Sequence, residues 1–313
     1  MSRIHEALKK AAEERAARVP EVEAAVAEIP SEPKLPSILR PEVGVALPAA
    51  PPAPAPKALP RVSEGTAAKV GFSYEELVER CVQAEWHLDP LNSVFLNSKP
   101  GEGGPEQFRT LRSRLYKVAS TRKLKKVLIT SGVAAEGKTF VASNLAQSII
   151  QQPELRVLLI DADLRSSRLH LLFGTQICPG LSDYLRGDAD EYGVIQKGSS
   201  ENLFLIPGGN LASNPSELLL SERMKQLFNT VTPVFDWIII DSPPTLPVHD
   251  ASVLADMVDG VLFVIRAGST DAEIVERTAT EFQGKNLLGV VLNRVQKTDS
   301  YGEEYQNYYG DRD

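Results

Sequence analysis

The sequence predicts an α/β fold, in which a mostly parallel β-sheet is flanked by helices. Two observations predict it. Six short apolar runs, each of the length of a buried strand, follow one another after residue 126. Helical patterns separate several of these runs, which indicates right-handed crossovers between parallel strands. The predicted strands are Val127–Thr130, Val157–Ile160, Leu203–Ile206, Trp237–Ile240, Val261–Ile265 and Leu288–Leu292.

The composition is that of a soluble globular protein. The 313 residues are 42% hydrophobic and 24% charged, with a formal net charge of −7. An acidic chain without basic clusters is not expected to bind nucleic acid non-specifically. Only Cys81 and Cys178 are present, so neither a disulfide framework nor a zinc site is expected. No apolar run approaches the roughly 20 residues that cross a bilayer, and we expect a cytoplasmic protein.

Composition divides the chain into five segments. Residues 1–20 show the spacing of a short amphipathic helix, and residues 21–72 form a Pro-rich linker, with ten of the 22 prolines between Pro30 and Pro60. Residues 73–103 are predicted to be a helical or helix–loop lead-in. The α/β domain is predicted to run from 104 to 298, and residues 299–313 form a polar tail.

A phosphate-binding loop follows the first predicted strand. Residues 132–139 read G-x4-G-K-T and lie between a strand and a helical pattern. Such a loop holds phosphate oxygens with backbone N–H groups at a helix N-terminus. We therefore predict a P-loop NTPase fold that binds ATP and Mg²⁺. Lys138 is predicted to reach the β- and γ-phosphates and Thr139 to bind the metal. The other loop residues predicted to bind the nucleotide are Gly132, Glu136 and Gly137.

Acidic residues end two of the predicted strands. Asp241 follows Trp237–Ile240 in a Walker B pattern and is predicted to bind Mg²⁺, directly or through water. Asp161 and Asp163 follow Val157–Ile160. Because the carboxyl ends of parallel strands meet at one edge of the sheet, these side chains should approach the phosphate loop. Asp161 and Asp163 can serve the metal and an incoming nucleophile separately, although solvated acidic residues at strand ends are the alternative for all three.

The order of motifs resembles that of the bacterial tyrosine kinases over residues 104–313. The matching features are the phosphate loop, Asp161-x-Asp163-x-Arg165 and Asp241-x-Pro243-Pro244, together with an E-x2-R-x2-R motif at Glu106, Arg109 and Arg112. The resemblance implies an ATP-dependent protein-tyrosine autokinase. It also implies that Asn293 contacts the adenine and that the E-x2-R-x2-R helix supports assembly of a homo-oligomeric ring.

The tail carries a cluster of tyrosines that suits an autokinase. Four of the chain's eight tyrosines lie in its last 13 residues: Tyr301, Tyr305, Tyr308 and Tyr309. The resemblance implies that these are the phosphorylation sites and that the kinase serves exopolysaccharide or capsule synthesis and export. It further implies a membrane-anchored chain-length-determinant protein as activator, which would recruit the chain to the inner face of the cell membrane. Contact with the membrane would occur only through this partner.

One position departs from the family pattern, and two other interpretations stay open. Ala134-Ala135 stands where related loops usually read Pro-Gly, which restricts the backbone at Ala135 and affects the expected rate rather than the reaction class. A Min- or Par-type positioning ATPase has a similar fold, but such proteins usually carry a lysine where this chain has Val133. A nucleotide-binding scaffold with little activity is the third interpretation.

Overall fold

The computed structural model describes residues 72–96, 103–246, 248–282 and 284–295. Within these ranges the strands are β1 (Val82–Gln83), β2 (Lys126–Ser131), β3 (Val157–Asp161), β4 (Gln196–Lys197), β5 (Leu203–Ile206), β6 (Trp237–Asp241), β7 (Gly260–Arg266) and β8 (Leu287–Asn293). The helices are α1 (Tyr74–Arg80), α2 (Gly103–Ala119), α3 (Lys138–Ile149), α4 (Leu169–Phe173), α5 (Leu181–Arg186), α6 (Glu191–Val194), α7 (Pro215–Leu220), α8 (Glu222–Val231), α9 (Asp250–Ala255) and α10 (Ala272–Thr280).

The strands form one mostly parallel sheet in the order β1-β4-β5-β3-β6-β2-β7-β8, and this confirms the predicted fold class. All six predicted strands are present. Strands β1 and β4, which have two residues each, were not predicted. Strands of that length are too short to produce a recognisable hydrophobic pattern. The single antiparallel pair among the described strands is β4 with β5.

Helices cover both faces of the sheet, and each central strand contributes side chains to two separate cores. In β3, Leu158 and Ile160 belong to one core, whereas Val157 and Leu159 belong to the other. Successive side chains of a strand point to opposite faces, so a strand buried on both sides needs a continuous apolar run. This explains why the central strands were evident in the sequence. Helix α3 is almost entirely buried beneath the second core.

The topology brings four strand ends together at the carboxyl edge of the sheet. Strands β5, β3, β6 and β2 are consecutive neighbours, and Asp161 of β3 lies in register with Asp241 of β6. Asp241 is also paired with Ile129 of β2, the strand that enters the phosphate loop. The loop after β6 is fastened to β2, because the Thr245 and Leu246 amides donate to Ser131 and Gly132. The predicted site residues therefore share one edge of the sheet.

In the described part of the lead-in, residues 73–96, α1 is followed by β1 and then by an irregular segment. The Ser73 hydroxyl accepts a hydrogen bond from the Glu76 amide at 3.2 Å, which caps the helix. Within the described ranges no helix is both long and apolar enough to cross a membrane. The predicted helix in 1–20, the linker apart from Phe72, and the tail all lie outside the described residues. The limits given above for the five segments stay predictions.

Candidate active site

The phosphate loop connects β2 to the buried helix α3. Gly137 precedes the helix with φ of 94°, and no side chain caps the helix N-terminus. The first N–H groups of α3 are therefore available to an anion, which the helix dipole also favours. Lys138 opens the helix and is only 7% exposed. Loop, helix terminus and buried lysine together form a site for the phosphates of a nucleotide.

Glu136 fixes the shape of this loop from within. Its carboxylate is 1% exposed and accepts hydrogen bonds from the Val133 amide at 3.1 Å and from the Thr270 hydroxyl at 2.7 Å. One contact closes the loop on itself, and the other ties it to the segment after β7. The structure thus places Glu136 in the loop as predicted. Its carboxylate, however, forms its hydrogen bonds within the protein.

Asn293 contacts the loop at the end of β8. Its side-chain amide donates to the Glu136 carbonyl at 2.8 Å, and its side-chain oxygen accepts from the Arg294 amide at 2.9 Å. A Cβ at Gly137 would lie 2.0 Å from the Asn293 amide nitrogen, so glycine is needed there for space as well as for its positive φ. An adenine contact by Asn293, as the resemblance implies, would require the amide to leave the loop carbonyl.

Ala135 adopts φ of 64°, in the left-handed region that glycine reaches without strain. We expect Ala135→Gly to raise the free energy of unfolding by up to about 1 kcal/mol, because relief of strain exceeds the added freedom of the unfolded chain. Ala134→Gly is the matched control, since Ala134 is not among the described residues with positive φ. It should lower the free energy of unfolding by about 0.5 kcal/mol. If both variants lost the same free energy of unfolding in urea, the left-handed conformation of Ala135 would be contradicted.

Asp161 anchors the loop that follows β3. One carboxylate oxygen accepts from the Ser167 hydroxyl at 2.6 Å and from the Arg168 and Leu169 amides at 3.0 Å each. The other oxygen accepts from the Asp163 amide at 3.2 Å. Burial raises the pKa of Asp161 to about 6, although its hydrogen bonds oppose the shift. Asp161 therefore shapes the loop as well as placing charge at the site.

Asp241 is the carboxylate with a free buried oxygen. It is 1% exposed, and its Oδ1 makes no hydrogen bond with the part of the chain that the structure describes. Burial, followed by the charge of Asp161, raises the pKa of Asp241 well above its usual value, while Lys138 and Thr139 act in the opposite direction. A buried, unpartnered carboxylate oxygen is costly unless a ligand satisfies it. This atom suits a cation.

Asp163 lies beside this pair and is the least buried of the three carboxylates. It is 8% exposed, and its Oδ1 accepts from the Ser166 amide at 3.0 Å. Its Oδ2 makes no hydrogen bond with any described residue. Of the three carboxylates, Asp163 has the oxygen best suited to accept a proton from an incoming hydroxyl.

Arg165 is held by contacts that were not predicted from the sequence. Its guanidinium donates to the buried Asp250 carboxylate at 2.9 Å and to the Ser216 hydroxyl at 2.9 Å. These partners come from α9 and α7 and are 85 and 51 residues away in the chain. The arginine of the D-x-D-x-R motif therefore connects the loop after β3 with helices α7 and α9. The only signal in the sequence was the presence of Asp250 after the Walker B segment.

The three residues of the E-x2-R-x2-R motif separate into two environments on α2. Glu106 and Arg109 are exposed and form an ion pair with each other. Arg112 turns inward, and its guanidinium donates to the Ser148 carbonyl in the last turn of α3. Cations stabilise such carbonyls at helix C-termini. Glu106 and Arg109 therefore remain accessible to another subunit, whereas Arg112 is committed to the helix that follows the phosphate loop.

Comparisons with known proteins match this geometry. The family model of the CobQ/CobB/MinD/ParA nucleotide binding domain matches residues 127–310. Tyrosine-protein kinase YwqD of Bacillus subtilis is 34% identical over 225 residues, which are 71% of this chain and 92% of that protein. Tyrosine-protein kinase CpsD of Streptococcus agalactiae is 34% identical over 229 residues, which cover 72% of this chain and 97% of that protein.

Longer relatives match over part of their length. Tyrosine-protein kinase wzc of Salmonella typhi is 37% identical over 206 residues, but the match spans only 28% of its length. Among solved structures, the kinase domain of the Escherichia coli tyrosine kinase ETK is 35% identical, with a TM-score of 0.62 over 66% of this chain and 81% of that one. The chimerical protein CapA2B2 is 27% identical, with a TM-score of 0.63 over 71% of this chain and 98% of that one.

Proposed function

The chain belongs to the bacterial tyrosine-protein kinases, built on the nucleotide-binding domain matched above, and we propose that it transfers the γ-phosphoryl group of ATP to the tyrosines of its C-terminal tail. The observation that carries this proposal is the free, buried Oδ1 of Asp241 beside Lys138 and Thr139. Metal, nucleotide phosphates and acceptor would converge at this point. The tail tyrosines are Tyr301, Tyr305, Tyr308 and Tyr309.

The residues present fit Mg²⁺. Hard oxygen ligands are the ones that Mg²⁺ prefers, and in nucleotide sites it uses one or two carboxylates together with phosphate oxygens and water. Asp241 and the Thr139 hydroxyl would hold it, with the charge of Asp161 in support. When bound, the ion neutralises charge on the β- and γ-phosphates. It also supplies the partner that the Asp241 oxygen lacks.

The side chains of the site have separate roles in the transfer of the phosphoryl group. Lys138, fixed by burial, offsets the negative charge on the transferred group and on the leaving ADP. A tail tyrosine attacks the γ-phosphorus, the bond to the ADP oxygen breaks, and a new P–O bond forms to the tyrosine. The phenol has an ordinary pKa of about 10 and must lose its proton. Asp163 accepts that proton, while Asp161 holds the loop in place.

Phosphorylation of the tail would also regulate assembly. Each phosphotyrosine adds roughly −1.5 to −2 charges at neutral pH. The tail already carries Glu303 and Glu304 between two tyrosines. Glu106 and Arg109 are exposed on α2 and can pair with a neighbouring copy in a ring. Accumulating negative charge would then repel the acidic site of the neighbour and loosen the ring.

The cellular role follows from the family. The chain acts in the regulation of exopolysaccharide or capsule synthesis and export. We infer that a membrane-anchored chain-length-determinant protein activates it and recruits it to the inner face of the membrane. The positioning-ATPase alternative has less support, because the relatives matched over most of their length are named tyrosine-protein kinases and position 133 is valine.

Intact mass measured after incubation with Mg-ATP tests the proposal. The wild type should gain several phosphate masses. A Lys138→Met variant and a variant with the four tail tyrosines changed to Phe should gain none, for lack of phosphate binding and of acceptors, respectively. If the wild type alone gains no phosphate, the experiment is repeated with the cytoplasmic segment of a candidate membrane partner. Continued silence while ATP is hydrolysed would overturn the kinase proposal.

A further inference from the structure

The order of the strands places the phosphate loop and the loop after β5 on different sides of the acidic residues. The phosphate loop follows β2, Asp241 ends β6, Asp161 ends β3, and the loop 207–214 follows β5, in that spatial order. Neighbouring strands are about 4.8 Å apart, so β5 lies about 14 Å from β2. A tyrosine that approaches Asp163 from the side away from the phosphate loop passes over the loops that follow β3 and β5.

The loop after β3 presents one uncommitted cation. The Arg168 backbone is fixed, because its amide donates to Asp161 at 3.0 Å. Its side chain is exposed and makes no hydrogen bond or ion pair with any residue that the structure describes. Arg165, in the same loop, differs because Asp250 and Ser216 engage its guanidinium. Arg168 is thus the arginine of this loop that can bind an anion.

The loop after β5 presents an apolar side chain on a rigid base. The Asn210 amide groups donate to Asp183, with the side-chain bond at 2.8 Å, and the Asn210 carbonyl accepts from Ser182 at 2.6 Å. The next residue, Leu211, is 87% exposed. This loop touches the loop after β3, since a Cβ on Gly208 would lie 2.6 Å from Ser167. A free cation and an exposed leucine therefore stand on two joined loops beside Asp161 and Asp163.

We propose that Arg168 and Leu211 form an acceptor surface that selects tyrosines flanked by acidic residues, and that its ligand is the C-terminal tail of a second copy of this chain. Arg168 pairs with a tail carboxylate and Leu211 packs against a tyrosine ring. The tail has the complementary chemistry, with five acidic residues against one basic residue in 299–313. This inference rests on the proposed function and identifies the acidic residues around the tyrosine as the feature of the substrate that the site recognises.

The position of β8 favours a second copy over the tail of the same chain. The tail continues from β8, which is separated from β3 by β7, β2 and β6. A tail from the same chain would have to cross about 19 Å of the sheet edge, directly over the nucleotide. A tail that arrives from another copy need not cross the nucleotide. The surface is therefore suited to transfer between chains.

Peptide phosphorylation tests this inference. The enzyme is the full chain with its four tail tyrosines changed to Phe, and the substrates are a peptide of residues 300–313 and the same peptide with Glu and Asp changed to Gln and Asn. We expect Arg168→Ala to raise the KM of the acidic peptide about fivefold and to leave that of the neutral peptide unchanged. Arg168→Lys should restore most of the difference. Leu211→Ser should raise the KM of both peptides, because it removes an apolar contact.

Two further measurements separate the inference from the proposed function. Arg114→Ala changes an exposed arginine of α2 and serves as the matched control for loss of a surface cation. Binding of a labelled tail peptide with Phe in place of Tyr, followed by fluorescence anisotropy, needs no catalysis. If the enzyme transfers phosphate but Arg168→Ala matches Arg114→Ala with the acidic peptide, the acceptor surface is wrong and the kinase function stands. If peptides bind through Arg168 but receive no phosphate, the proposed function fails.

Discussion

Changing Asp241 to Asn should make the nucleotide-free protein more stable while nearly abolishing phosphoryl transfer. Its Oδ1 is buried without a partner among the described residues, so the carboxylate is held at a cost in the absence of a cation. Neutralising it should raise the free energy of unfolding by about 1–2 kcal/mol. The same change removes a metal ligand and should lower the transfer rate about a thousandfold. Opposite effects on stability and activity are the signature of a functional residue.

The gain in stability should depend on pH in a defined direction. The pKa of Asp241 in the folded chain is raised above its usual value of 3.8, so the folded state binds the proton more tightly than the unfolded state does. The wild type therefore loses stability as the pH rises from about 4 to the raised pKa, and the loss is complete above it. The difference between Asp241→Asn and the wild type in urea unfolding should be larger at pH 8 than at pH 5.

An exposed carboxylate provides the control for this experiment. Asp256 lies at the end of α9, its side chain is 67% exposed, and it forms an ion pair with Lys285 at 3.1 Å. Asp256→Asn should change the free energy of unfolding by less than about 0.5 kcal/mol and should not affect transfer. A loss of stability in Asp241→Asn would show that its Oδ1 already has a partner. Transfer at the wild-type rate would exclude Asp241 as a metal ligand.

The parts of the site that could be predicted from the sequence are those in which a functional residue directly follows a recognisable strand. Asp161 and Asp241 were placed together because each ends a continuous apolar run, and neighbouring parallel strands bring such ends to one edge. The phosphate loop was also predicted from a local pattern, because its strand, glycines and helix follow one another in the sequence. No side-chain contact was needed to predict their proximity. Local sequence patterns were sufficient wherever the pairing of neighbouring strands determines which residues lie close together.

The parts that were not predicted depend on contacts between distant segments. Arg165 meets Asp250 and Ser216 only because the loops after three different strands converge. Nothing in the spacing of these residues indicates that pairing. The motif on α2 shows a second limit. Arg112 lies six residues after Glu106, about 120° around the helix, so it turns towards α3 while Glu106 faces outward. Only the packing of α2 on α3 shows which side is buried.

Two substitutions of Asp161 should separate its structural role from its chemical role. Asp161→Ala leaves four donors without an acceptor: the Ser167 hydroxyl and the Asp163, Arg168 and Leu169 amides. We expect the free energy of unfolding to fall by about 2–4 kcal/mol, a decrease in Tm of roughly 5–12 °C. Transfer should become undetectable, because the loop that carries Asp163 loses its anchor.

Asp161→Asn should keep the fold but not the activity. The amide oxygen can still accept from the Ser167 hydroxyl and the Arg168 and Leu169 amides, and only the Asp163 amide loses its acceptor. Thermal unfolding should therefore show a loss of about 1 kcal/mol. The negative charge beside Asp241 disappears, and we expect transfer to fall about a hundredfold. Because the pKa of Asp161 is about 6, transfer by the wild type should also decline below that pH as the carboxylate is protonated. Wild-type activity in Asp161→Asn would reduce Asp161 to a loop anchor and leave Asp163 and Asp241 as the reacting carboxylates.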